Sequence, residues 1–230
     1  MSIFSQHSRR FGKPFDSAQG RGFTLIELLV VGAIIIIITS LFLLRQSKFD
    51  STTILRSLAY SITLSMRQAQ VYGVSVQATS TFSGVVYASG YGLYFTAVPN
   101  NIYLLFADIN NNGRYDAGED VQAFTLNNGY RISEICAINA LKNCSAKPDG
   151  MTDDSTNSPT ISNLSVIFRR PNHDACISTD VAPGVCGQVA TQTFSTAYIQ
   201  ISSKGDPSIF RSITVSNTGA IETQRPNKLP

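Results

Sequence analysis

The chain is poor in histidine, and it has no surplus of one charge once its first 22 residues are set aside. Its two histidines are His7 and His173, so from Phe23 onward one imidazole is left for acid–base chemistry near neutral pH. No Gly-rich phosphate loop and no nucleophile elbow occur, and none of the many Ser and Thr residues has a recognisable base partner. Asp153 and Asp154 adjoin only in a polar stretch that reads as an exposed loop. Catalysis is not expected. The formal charge of +3 comes from 18 basic and 15 acidic residues; Arg9, Arg10, Lys13 and Arg21 against Asp16 account for all of it, leaving fourteen of each sign from Phe23 on. Nucleic-acid binders ordinarily carry a basic face, and the bulk charge offers none. No internal repeat stands out.

What the chain does have is a long apolar run with one acid in it. Phe23 to Leu44 is a stretch of 22 residues interrupted only by Glu27 and a few small or hydroxylated residues. About 20 such residues span a bilayer as a helix. The block Ile34 to Ile38 is β-branched and in water reads as strand. A lone segment in lipid must satisfy its backbone internally, so helix is expected. An ionised acid at mid-bilayer costs roughly 2.5–3.5 kcal/mol, and less near an interface. Glu27 sits about one turn inside, where a simple anchor has no use for it and a nearby cation would offset its cost. The basic residues before the run favour a cytoplasmic N-terminus, and Arg45 and Lys48 after it blur the asymmetry without reversing it. Ser8-Arg9-Arg10-Phe11-Gly12-Lys13 loosely resembles a twin-arginine export signal, but twelve residues separate Arg10 from Phe23 and no small-x-small site follows the run.

The junction Arg21-Gly22-Phe23-Thr24-Leu25-Ile26-Glu27-Leu28-Leu29-Val30-Val31 resembles the class III signal of type IV pilins and of the pseudopilins of type II secretion systems. The resemblance implies cleavage between Gly22 and Phe23 by a prepilin peptidase and methylation of the new Phe23 amine. It implies assembly through the N-terminal helix into a filament, with Glu27 paired to the amine of Phe23 on the same or a neighbouring subunit. The implied partners are that peptidase, other pilin or pseudopilin subunits, an inner-membrane assembly platform and membrane lipid. The implied location is a single pass in the inner membrane with the head outside the cytoplasm, and then the pilus or pseudopilus.

The expected organisation is a leader over 1–22, a spanning or filament-core helix over 23–44, an amphipathic continuation over 45–73 and a β-rich head over 74–230. Leu55, Leu58, Ile62, Met66 and Ala69 form one apolar stripe, with Arg56, Tyr60, Thr63, Arg67 and Gln70 opposite. Gly73 reads as the C-terminal stop, so helix from Phe23 to Tyr72 would measure about 75 Å; a break near Lys48 to Thr53 is the alternative. Strands are predicted at Val74–Thr79, Tyr91–Val98, Ile102–Ala107, Val121–Leu126 and Tyr130–Ile135, then Leu164–Arg169, Ala197–Ser202, Phe210–Val215 and Ala220–Thr223. Lys142 to Pro159 reads as exposed loop. The fold class is α+β: a long N-terminal hydrophobic helix packed as a stalk on a mostly antiparallel β head.

Leu55 to Ala59, then Arg67-Gln68-Ala69-Gln70-Val71-Tyr72-Gly73 followed by Val74-Ser75-Val76, is similar to the FimT/H-type pseudopilin domain. Arg211 to Gly219 resembles that domain's closing hairpin. The region from Cys136 to Pro183 has no clear counterpart there. Cys136, Cys144, Cys176 and Cys186 are an even count in a head read as exported, so two disulfides are expected. Three pairings are open, and the close pairs Cys136–Cys144 and Cys176–Cys186 are preferred. A zinc site using His173, Asp174 and Cys176 is the rival, but the spacing fits no common zinc pattern.

Asp108-Ile109-Asn110-Asn111-Asn112-Gly113-Arg114-Tyr115-Asp116-Ala117-Gly118-Glu119 fits the register of a twelve-residue calcium loop. Asp108, Asn110, Asn112 and Asp116 would supply side-chain oxygens, Arg114 its carbonyl, Glu119 a bidentate carboxylate, and Gly113 the sharp turn. The same run also reads as an Asn-Gly hairpin between two strands whose acids are merely solvated; both readings stand at this level. No cofactor is required, and a structural calcium ion is the one candidate. Functionally, a structural filament subunit leads. A minor subunit that captures DNA or a surface at a filament tip is the alternative, resting on Arg169, Arg170, Arg225 and Lys228.

Overall fold

A computed structural model describes residues 22–75, 78–81, 84–97, 101–139, 142–145, 160–181, 194–203 and 205–224. The chain divides into two compact units, Met1–Gln46 and Ser47–Pro230. One helix, α1, runs Leu25–Val74.

In the first unit, α1 from Leu25 to Leu43 has a mean hydropathy of 2.8 and none of it is buried. That segment is long and apolar enough to cross a membrane. Its two hydroxyl side chains bond back into the helix: Thr39 donates to the Ile35 carbonyl, and Ser40 to the Ile37 carbonyl at 2.9 Å. Such internal bonding leaves no donor on these side chains that needs water. The isoleucine block is helical throughout.

The second unit is mostly antiparallel β. Its strands are β1 (Ala78–Thr81), β2 (Gly84–Tyr87), β3 (Gly90–Thr96), β4 (Ile102–Asp108), β5 (Asp120–Thr125) and β6 (Tyr130–Ile138). They continue with β7 (Lys142–Cys144), β8 (Asn163–Arg169), β9 (Ala175–Thr179), β10 (Thr196–Ser203), β11 (Phe210–Ser216) and β12 (Ile221–Gln224). Two five-stranded sheets form, in the orders β5-β4-β3-β8-β9 and β12-β11-β10-β6-β7, beside a small β1-β2 pair. Every strand pairing is antiparallel.

One core joins α1 to both large sheets. Leu55, Ala59, Ile62, Met66 and Ala69 of the helix meet Leu93, Phe95, Leu105, Val166 and Phe168 of the first sheet, and Ile135, Ile199, Ile213 and Val215 of the second. The stripe thus lies where the 3–4 spacing places it, except that Ala59 takes a central position and Leu58 is half-buried at its edge. Each fully buried large apolar side chain contributes about 1.5–3 kcal/mol. This burial makes the second half of α1 part of the head.

Several boundaries differ from expectation. Gly73 does not stop the helix; α1 continues to Val74, and the Ser75 amide still donates to the Val71 carbonyl at 2.9 Å. Gly73 instead permits close packing, because a Cβ there would lie 2.2 Å from the Phe168 carbonyl oxygen. The strand expected at Val74–Thr79 therefore begins only at Ala78. The stretch from Lys142, read as loop, opens with β7, which pairs with β6; residues 146–159 lie outside the described residues. Strands β2 and β9 were not expected. All five residues of β9 are buried, so it lacks the alternation of a half-exposed strand.

Gly73→Ala is expected to destabilise residues 47–230 by about 1–3 kcal/mol, although Ala is about 1 kcal/mol the better helix former. Denaturant midpoints at unchanged slope would show it.

Candidate functional site

The junction that opens α1 is built by a cap. Thr24 Oγ1 accepts the Glu27 amide at 3.3 Å, and the Thr24 carbonyl accepts the Leu28 amide at 3.2 Å. Thr24 is thus the N-cap, and Glu27 stands at the third helical position, the spacing of a capping box. Its carboxylate sits in the first turn, where the partial positive charge of the helix terminus favours an anion. Thr24-x-x-Glu27 carries this signal, which the reading of the apolar run alone misses. Phe23 is 80% exposed, and Gly22 and Glu27 are exposed as well. Arg9, Arg10, Lys13, Asp16 and Arg21 lie outside the described residues.

The second site is the loop between β4 and β5. Asp108, fully buried, ends β4. Its Oδ1 accepts the Asn112 amide at 3.1 Å, its Oδ2 accepts the Gly113 amide at 3.1 Å, and Oδ2 also pairs with the Arg169 guanidinium from the end of β8. Gly113 adopts φ 79° to turn the chain here, a conformation that costs glycine little. Glu119 turns both oxygens inward. Oε1 accepts the Ile109 amide at 2.9 Å and Oε2 the Asp116 amide at 3.0 Å. Asn110 reaches Asp116 Oδ2 through its side-chain amide at 2.6 Å, and the Asn112 side chain bonds the same oxygen. Ser178 of β9 donates to the Gly113 carbonyl at 2.6 Å, which fastens the loop across the sheet and explains why β9 is covered on both faces.

The loop therefore brings Asp108, Asn110, Asn112, Asp116 and Glu119 together through a network of hydrogen bonds. Asp108 pairs with the Arg169 guanidinium, and both Glu119 oxygens accept backbone amides. Among the described residues, the one group of three His, Cys, Asp or Glu ligand atoms lying within 4.8 Å of one another is Glu134, Cys136 and Cys144. Arg114, whose carbonyl is the expected seventh-position oxygen, has its amide bonded to Asn112 Oδ1 at 2.9 Å.

Burial pushes the Glu119 carboxyl above 4.5, chiefly through desolvation, while the Asp116, Ile109 and Asn110 amides pull it back and the Asp108 charge adds a small rise. The folded state then holds this proton more tightly than the unfolded state does. Its contribution to stability is complete below about 4.5 and is lost as pH rises through the raised folded value. Relative to Glu119→Gln, the wild type is expected to lose stability as pH increases from 4.5, which paired unfolding curves across that range would show. Beside the loop, the Tyr115 ring packs on Tyr94 and Phe106, and its hydroxyl donates to Asp120. Desolvation first and Asp120 second push that phenol up to about 12.

The cysteines act as staples where they are described. Cys136 and Cys144 are joined across the β6–β7 pair, Cys176 is disulfide-bonded, and Cys186 lies outside the described residues. His173 and Asp174 are exposed, and with Cys176 oxidised they form no zinc set. Of the basic residues that favoured DNA capture, Arg169 pairs with Asp108 and Arg170 donates to the Ala88 carbonyl at 3.2 Å. Arg225 and Lys228 lie outside the described residues. No protein-family model matches the chain, and neither a curated protein nor a solved structure matches it.

Proposed function

We propose that this chain is a structural subunit of a type IV pilus or of a type II secretion pseudopilus, trimmed after Gly22 and assembled through α1. The observation that carries this reading is the two-part character of one helix. From Leu25 to Leu43 it is apolar on every side and unburied; from Leu55 to Ala69 it buries one stripe in the head core. A plain membrane anchor needs the first part only, and an ordinary core helix the second only. The face of the second part that turns away from the core supports assembly further. Tyr60, Leu64, Val71 and Val74 are exposed there, spaced by 4, 7 and 3 residues along one side. Exposed apolar side chains in a row favour a contact with another protein surface.

In this reading the subunit waits in the membrane until it is extracted, and the apolar helices then pack together while the heads form the surface. Glu27, near the new Phe23 amine, neutralises that amine inside the bundle and selects the register in which subunits add. The Asp108–Glu119 loop is taken as a hydrogen-bonded turn pinned by Arg169, with no calcium required. Co-expression with a prepilin peptidase tests the proposal: the intact mass should fall by residues 1–22 and gain one methyl group on Phe23. A chain left whole by an active peptidase would end it.

A further inference from the structure

We draw no further inference here: the strongest candidate, the acidic cluster of Asp108, Asp116 and Glu119 in the loop between β4 and β5, belongs to the site already described, is held by hydrogen bonds within its own loop and by Arg169, and nothing else among the described residues points to a ligand there.

Discussion

Glu27→Gln is expected to be trimmed after Gly22 like the wild type, and then to be nearly absent from filaments. The choice of glutamine separates two roles that alanine would merge. Glu27 stands at the third position of a helix capped by Thr24, and glutamine serves a capping box as glutamate does. The start of α1 should therefore survive the change. What disappears is the negative charge. If that charge neutralises the Phe23 amine in an apolar bundle, its loss leaves a buried cation without a partner, a defect of about 3–5 kcal/mol. Incorporation should fall at least about tenfold, and Glu27→Asp should restore part of it. Glu27→Ala should do no better than glutamine. Quantifying the chain in sheared filaments against its membrane pool would show this; normal incorporation of Glu27→Gln would reduce Glu27 to a cap.

Arg169→Ala is expected to cost residues 47–230 about 3–5 kcal/mol of stability. Asp108 is fully buried, and its side chain meets the Arg169 guanidinium on Oδ2. The Asn112 and Gly113 amides would remain as donors, but two neutral donors do not replace a guanidinium charge. The damage should spread from the pair to the loop, because Asp108, Gly113 and Ser178 link it to β4 and β9. Asp108→Asn placed on top of Arg169→Ala should recover a substantial part, since it removes the uncompensated charge. Urea unfolding of the two single variants and the double variant measures the coupling directly. A loss below about 1 kcal/mol for Arg169→Ala would mean that the pair behaves like an exposed one.

The calcium-loop spacing illustrates what a sequence can carry and what it cannot. Oxygen-bearing residues at alternate positions and a glycine at the turn are local facts, and the loop does bring those residues together. Arg169, which takes the place beside Asp108, is 61 positions away and arrives only because β3 pairs with both β4 and β8. Gly73 shows the same limit. A glycine near a helix end reads as a stop, yet its reason is the Phe168 carbonyl on a distant strand. The helix stripe, the β4–β5 connection and the β11–β12 hairpin were legible because each rests on short-range periodicity or turn residues. Strand β9 was not, since the loop that covers its outer face also removes the polar alternation that marks a strand. Thr24 was legible in principle: a hydroxyl residue three positions before a glutamate is a cap signal, hidden here by the hydrophobic run around it.

The central claim is that α1 is exposed by trimming and then shared between subunits. The N-terminal peptide of the chain should be identified by mass in filaments sheared from cells and, in parallel, in the inner membrane. The account predicts that the filament peptide begins at methylated Phe23, with Glu27 intact. A chain that is missing from filaments, or that still starts at Met1 where the same peptidase has trimmed other subunits, would contradict it.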